Sequence, residues 1–337
     1  MKILVVDVAA EHGGALSILK EFIAKFCEDK DNEYTVCVSN LDFEDSENVK
    51  FVKIPWVKRS RAHRIYFDSF YIKKLIKKYS PDKLFSLQNK GFSVRKLPQD
   101  VYFHNALFIC EKRFTLKESR GLWIYQNLIS RLTKKSLKFA DRIIVQAEWI
   151  KRGLSLKWNI PERKIVVKRA GVSPIFASAL DDAESKPCNL FYPANFSPYK
   201  NHRILFSACI KLWKKIGTDA FTLTLTGRKD ALPASLAQMI GEDKYPIRFL
   251  GRLSPEEMKT EYCRSALVFP SYIETVGLPL MEAKTLHRPI ISADCEYAKE
   301  SAGNGENVRY FNPFNAEELS QRIEELITAG NPGEENC

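Results

Sequence analysis

An α/β protein of two domains is predicted by three features of the chain. Buried-strand runs alternate with amphipathic helical stretches from one end to the other. The length of 337 residues is long for one core and suits two domains of ordinary size. Residues 266–294 form a strand, turn, helix, strand unit of the kind that builds parallel sheets.

Composition supports this reading and narrows the function. Hydrophobic residues make up 45% of the chain and aromatic residues 12%, enough for two cores. No apolar run approaches the roughly 18 residues that cross a bilayer, and the apolar start (Ile3 to Val6) is interrupted at Asp7 before it resembles a signal peptide. A cytoplasmic protein is expected. The eight cysteines show no CxxC pair and no metal-like spacing, so they read as buried thiols. Charge is divided unevenly. Residues 1–172 carry 34 Lys+Arg against 19 Asp+Glu, a net of +15, whereas residues 173–337 carry a net of −4. A basic first half points to an anionic partner: a membrane surface, a phosphorylated acceptor or nucleic acid. No nucleic-acid recognition motif accompanies the charge, so nucleic acid is the least expected of these.

In order, residues 2–8 read as a buried strand, followed by a turn at Gly13 and Gly14 and a helix through Phe26. That turn lacks the GxGxxG pattern, which disfavours a dinucleotide-binding dehydrogenase. Residues 34–39 and 52–54 read as strands. Asp29 and Asp31 imitate a metal-binding Asp-x-Asp, but they lie among charged loop residues, and no metal site is predicted. Residues 58–79 give a basic, aromatic helix with two readings: an interfacial helix docking on anionic lipid, or a domain helix with a solvated lysine face. Strands follow at 83–88 and 100–103, the second ending at His104, where ligands gather in open α/β sheets. Residues 113–139 read as mostly helical, with Trp123, Ile124, Leu128, Ile129 and Leu132 on the apolar stripe. Strands at 142–145 and 161–171 close a first domain of residues 1–172, and the polar run 181–187 lies in a linker of residues 173–188.

The second domain, residues 189–330, opens with a strand at 189–193, a turn at 194–200 and a helix at 201–216. Strands at 221–226 and 247–250, a helix at 256–266, a strand at 308–311 and a helix at 316–328 complete it before a polar tail. Its most informative stretch is 269–294. Pro279 suits a helix start, so the turn before it aims free backbone N–H groups outward, an arrangement that binds phosphate. Glu274 in the turn and Glu282 in the first helical turn place two carboxylates beside those groups, suited to accept hydrogen bonds from sugar hydroxyls. The pocket reads as a nucleotide-sugar site.

The frame SYIET, GLPLMEA and PIISAD around these two glutamates resembles the signature of retaining GT-B glycosyltransferases, with glycosyltransferase family 4 the nearest match. The resemblance implies two Rossmann-like domains with parallel sheets facing across a cleft. It implies that Glu274 faces the hydroxyls of the donor sugar and that Glu282 holds the ribose, with Gly277 and Leu278 at the helix start. By the same resemblance His104 bonds the donor near the reacting carbon. Gly13 and Gly14 approach the phosphates or the acceptor, and Gly251, Arg252 and Leu253 lie near the nucleobase. Lys200 matches the lysine that clamps the diphosphate. The arginine expected with it is missing, because Ala194 and Asn195 occupy its place, so Arg203, Arg228 or the helix start at Leu278 must compensate, or the donor is bound differently. The implied reaction is metal-independent, retaining transfer of a sugar from a nucleoside diphosphate, with no cofactor beyond that donor. The implied acceptor is a glycan or lipid-linked molecule in surface polysaccharide, lipopolysaccharide or oligosaccharide assembly, with peripheral contact between the basic half and the inner face of the membrane. A non-catalytic nucleotide- or sugar-binding protein on the same fold is the alternative.

Overall fold

The computed structural model describes residues 1–11, 13–94, 96–177, 188–241 and 244–329. The predicted polar run at 181–187 and the tail beyond 330 lie outside them. The chain divides into two compact units, the first ending at Arg169 and the second beginning at Ala170.

The first unit is a parallel sheet of seven strands: β1 (Lys2–Asp7), β2 (Glu33–Val38), β3 (Val49–Lys53), β4 (Lys83–Ser86), β5 (Gln99–Phe103), β6 (Arg142–Val145) and β7 (Ile165–Val167), in the order β3-β2-β1-β4-β5-β6-β7. From β1 the chain steps outward to β2 and β3, then returns across β1 to β4 and continues the other way. Right-handed crossovers therefore place helix α1 (Gly13–Glu28) on one face and the helices entering β4 and β6 on the other. Alternate residues of β1 serve the two faces. Val5 packs with Leu19 and Phe26 of α1, whereas Leu4 and Val6 pack with Phe67, Ile72 and Leu75.

On that second face the helices differ from expectation. The predicted helix at 58–79 is a single turn at Pro55–Lys58, then α2 (Arg61–Tyr66), a π turn (Phe67–Tyr71) and α3 (Ile72–Tyr79). The predicted helix at 113–139 begins only at Arg120, because Thr115 and Glu118 close a local turn in which each backbone N–H donates to the other's side chain. It runs as α4 (Arg120–Ile124), a second π turn (Tyr125–Ile129) and α5 (Ser130–Leu137). Its predicted core stripe is not in the core, since Leu128, Ile129 and Leu132 are exposed. Helix α6 (Glu148–Trp158) completes the unit.

The second unit is a parallel sheet of six strands: β8 (Asn189–Tyr192), β9 (Thr222–Leu225), β10 (Ile247–Phe249), β11 (Ala266–Phe269), β12 (Ile290–Ala293) and β13 (Val308–Phe311), in the order β10-β9-β8-β11-β12-β13. Its helices are α7 (His202–Ile216), α8 (Ala234–Ile240), α9 (Pro255–Arg264), α10 (Leu278–Thr285), α11 (Glu296–Ala302) and α12 (Ala316–Ala329). Every residue of β11 and β12 is buried, as continuous apolar runs in parallel sheets should be. Among the described cysteines, 37, 110, 188, 209 and 263 are buried as expected, but Cys27 and Cys295 are only half-buried.

Candidate active site

The order of the second sheet reverses between β8 and β11, so the turns leaving those two strands meet at the switch point where open α/β sheets bind ligands. The two turns are stitched together. The Tyr272 N–H donates to the Tyr199 carbonyl (3.0 Å), and the Asn201 side chain donates to the carbonyls of Pro270 (3.1 Å) and Pro313 (2.7 Å). Tyr192 adds a bond from its hydroxyl to the Lys200 carbonyl (2.7 Å). This bracing brings Lys200 Nζ onto Glu274 Oε1, an ion pair whose side chains are only 16% and 17% exposed. The two residues stand 74 positions apart in the sequence.

Two helices start at the same place. Helix α10 is capped by Gly277 in the left-handed region (φ 76°), where a Cβ would also approach the Tyr297 ring to 3.0 Å. The helix begins at Leu278, with Pro279 second, so Glu282 lies in the second turn and not the first as predicted. Helix α7 starts after Asn201, whose side chain is spent on Pro270 and Pro313 instead of capping. Both helix starts thus lack a side-chain cap, and their first amides and dipoles favour an anion. Glu282 is part-buried and accepts a hydrogen bond from the Tyr262 hydroxyl (2.7 Å). Burial pushes its carboxyl above the usual range, and the Tyr262 bond acts in the opposite direction. Burial likewise lifts the Tyr262 phenol well above its ordinary value.

Beside the switch point, a cavity of about 590 Å³ opens over the ends of β8, β9 and β10. Asn195, Phe196, Arg228, Arg252 and Leu253 are among its lining residues. Gly227 is forced to be small, because a Cβ there would meet the Phe196 ring at 2.3 Å. Gly251 takes a left-handed conformation (φ 73°) before Arg252. Asn195 turns its side chain onto the Ser197 N–H (3.0 Å). Arg203 is exposed on α7 and does not line this cavity, whereas Arg228 does, paired with Asp230 (Nε to Oδ1 2.9 Å).

In the first unit the order reverses between β1 and β4. Gly13, with φ 64°, opens α1 just after β1, and a Cβ at Gly13 or Gly14 would meet nothing within 4 Å. Close contact with the fold thus explains neither glycine. The left-handed backbone explains the first. His104 follows β5 and is tied to Asn89, whose Oδ1 accepts from the His104 N–H (2.6 Å) and whose Nδ2 lies 3.1 Å from Nε2. Burial pushes this imidazole down to about 4, so it is neutral near pH 7. Sequence reasoning did not find Asn89, Tyr262, Tyr199 or Phe196. Each acts through a partner distant in sequence, and none carries a local motif.

Two family models cover most of the chain, "Glycosyltransferase Family 4" over residues 13–174 and "Glycosyl transferases group 1" over residues 187–329. The chain belongs to the family 4, group 1 glycosyltransferases. This glycosyltransferase is 27% identical over 343 residues to a Campylobacter jejuni N,N'-diacetylbacillosaminyl-diphospho-undecaprenol α-1,3-N-acetylgalactosaminyltransferase, covering 90% of the chain and 84% of the relative. It is also 27% identical to the O-antigen chain mannosyltransferase RfbU of Salmonella typhimurium, over 66% of the chain, and spans 63% of that relative's length. Its two parallel sheets are those of the GT-B fold. WaaG, a glycosyltransferase involved in lipopolysaccharide biosynthesis, superimposes with a TM-score of 0.71 at 15% identity, covering 97% of this chain and 90% of its own. The HepE protein of Anabaena, crystallised with UDP and glucose, superimposes with a TM-score of 0.67 at 15% identity, covering 98% and 91%.

Proposed function

We propose that this glycosyltransferase moves a sugar from a nucleoside diphosphate to a hydroxyl of a lipid-linked or polysaccharide acceptor, with retention and without a metal ion. The observation that carries the reading is the meeting of Lys200, Glu274 and two uncapped helix starts at one switch point, with Glu282 on the second of those helices. A diphosphate leaving group needs positive charge and N–H donors, and these groups supply both. Glu274 then faces the hydroxyls of the sugar, and Glu282, aimed by Tyr262, receives the ribose. The cavity over β9 and β10 takes the base against Gly251, Arg252 and Leu253. The relatives in O-antigen and undecaprenol-linked glycan synthesis support the acceptor class.

The missing arginine has a candidate replacement. Arg228 lines the cavity, and its side chain is 71% exposed and, among the described residues, ion-paired only with Asp230, two residues on. Exposed pairs of that kind contribute at most about 1 kcal/mol, so a phosphate oxygen competes for the guanidinium readily. Neither glutamate is placed as a nucleophile, since one is ion-paired and the other is bound to a phenol. Transfer on the leaving-group face follows, with the diphosphate oxygen helping to take the acceptor's proton and the protein supplying orientation. On the first unit, His104, Gly13 and Gly14 are assigned to the reacting carbon and the acceptor.

Thermal unfolding with UDP, GDP, ADP and their common sugars tests this. One nucleotide raises the melting temperature of the wild type, and Glu282→Ala loses that response. No shift with any nucleotide refutes the donor site, and a shift without turnover of a mass-tagged donor refutes the catalytic reading.

A further inference from the structure

The turn after β4 and the end of β5 are joined at Asn89. Its N–H donates to the Tyr102 carbonyl (3.3 Å), its Oδ1 accepts from the His104 N–H (2.6 Å), and its Nδ2 lies 3.1 Å from His104 Nε2. Asn89 is set for this by a left-handed backbone (φ 63°), a conformation that asparagine tolerates better than most residues. Its neighbours are fixed as well. Gln88 accepts from Arg64 (2.8 Å), Lys90 pairs with Asp68 (2.6 Å) while its carbonyl accepts from the Ser86 hydroxyl (2.6 Å), and the Gly91 N–H donates to Ser136 (3.2 Å). Anchored on both sides, Asn89 has little freedom to turn its amide.

These contacts decide which ring nitrogen of His104 carries the proton. The backbone N–H of His104 can only donate, so the Asn89 atom facing it is the carbonyl oxygen and the atom facing the ring is the amide nitrogen. An amide nitrogen offers protons and does not accept them. Nε2 is therefore the acceptor and is bare, which puts the proton of the neutral imidazole on Nδ1. Burial works to the same end, since it pushes the imidazole down to about 4 and makes the doubly protonated ring a minor species near pH 7. Tyr102, on the same face of β5, has its ring centre 5.7 Å from that of His104, and burial together with Glu21 of α1 keeps its phenol protonated. Of the charged groups flanking Asn89, Lys90 and Arg64 are both paired with Asp68, and Asp7 at the end of β1 is pushed up to about 6 by burial.

We propose that Asn89 is a positioning residue, holding His104 in the tautomer protonated on Nδ1 so that the ring meets the donor sugar as a hydrogen-bond donor through that atom. The inference rests on the assignment of His104 to the reacting carbon. Any hydrogen bond that the neutral ring gives leaves from Nδ1, and an uncharged ring does not oppose the positive charge that develops on a sugar as its leaving group departs. Asn89→Asp reverses the arrangement at nearly constant shape. One carboxylate oxygen still accepts from the His104 N–H, while the other sets an acceptor against Nε2 in place of a donor. The new negative charge favours the charged ring and raises its pKa by roughly 1–3. Below that pKa both ring nitrogens are protonated and Nδ1 still donates. Above it the remaining proton stays on Nε2 against the carboxylate, and Nδ1 is bare.

The test joins a spectroscopic reading to a kinetic one. In the full chain carrying nitrogen-15 histidine, the ring signals of His104, identified by their loss in His104→Ala, should show a bare Nε2 and a protonated Nδ1 between about pH 5.5 and 8. Asn89→Asp should place a proton on Nε2. Cleavage of the UDP-, GDP- or ADP-sugar that raises the melting temperature, with water as acceptor and release of the diphosphate as the signal, is followed over the same range. The quantity read is the rate of Asn89→Asp divided by that of the wild type, which cancels titrations common to both, that of Asp7 included. This ratio should fall by roughly 3–10-fold as pH rises, the loss of one hydrogen bond. A merely weakened fold would lower it equally at every pH. A protonated Nε2 in the wild type overturns the proposal, as does a ratio independent of pH when His104→Ala is defective. Full cleavage by His104→Ala refutes the placement of His104 at the donor sugar, and the positioning role with it.

Discussion

Replacing Lys200 by methionine removes one half of an ion pair whose members are each about one-sixth exposed. Losing one partner of a fully buried pair costs roughly 3–5 kcal/mol, whereas exposed pairs contribute about 1 kcal/mol or less. The exposure of this pair places the expected loss between those limits, near 2 kcal/mol. For a unit of this size that lowers the melting temperature by roughly 4–8 °C. Most of the loss is the stranded Glu274 carboxylate, so Lys200→Met with Glu274→Leu should recover much of it, a coupling visible in a double-mutant cycle. Binding separates the roles further. Lys200→Met should weaken a nucleoside diphosphate by roughly tenfold, about 1.4 kcal/mol, and leave the free nucleoside unchanged. Glu274→Gln frees the ammonium, so diphosphate affinity holds or rises while sugar transfer falls. Additive stabilities, or an unchanged diphosphate affinity in Lys200→Met, would refute the assignment.

Two further outcomes follow from groups around the same site. His202 is 2% exposed among the rings of Tyr192, Phe196 and Phe206, neither ring nitrogen has a hydrogen-bond partner among the described residues, and burial lowers its pKa to about 3. Its neutral form therefore favours folding above the unfolded value near 6.5, and that contribution is lost as pH falls; denaturant titration should show His202→Phe gaining about 2 kcal/mol on the wild type between pH 7.5 and 5. Gly277→Ala forces a side chain into the left-handed region and against Tyr297, so its unfolding free energy should fall by about 1–2 kcal/mol and its nucleotide response should weaken.

Much of the fold was legible because parallel strands buried on both faces leave short apolar runs, and the run at 142–145 coincides with β6. The glutamates were legible because their frame is local. What could not be read was their company. Lys200 meets Glu274 only because β8 and β11 are neighbours in the sheet, and strand order leaves no trace in periodicity. Tyr262 reaches Glu282 from the preceding helix, and nothing in its own segment distinguishes it from a core tyrosine. The reading of Glu282 as a first-turn acid failed on a shift of one residue, because Gly277, not Leu278, caps α10 and the helix starts before Pro279.

The helices of the first unit failed for a different reason, and it bears on where function is written in a sequence. An apolar stripe at helical spacing is assigned to the core on the assumption of one continuous α-helix with a constant angle per residue. A π turn adds a residue to one turn and rotates everything after it. In residues 120–137 that rotation, together with the commitment of Gln126 to three backbone groups of the 107–114 loop, sets a polar seam inward and a leucine stripe outward. Ordinary core packing would have placed the leucines inside, at the expense of the bonds that hold the loop behind His104. The fold satisfies buried polar groups first, since each left unpaired costs about 1–3 kcal/mol, and exposes apolar surface in exchange.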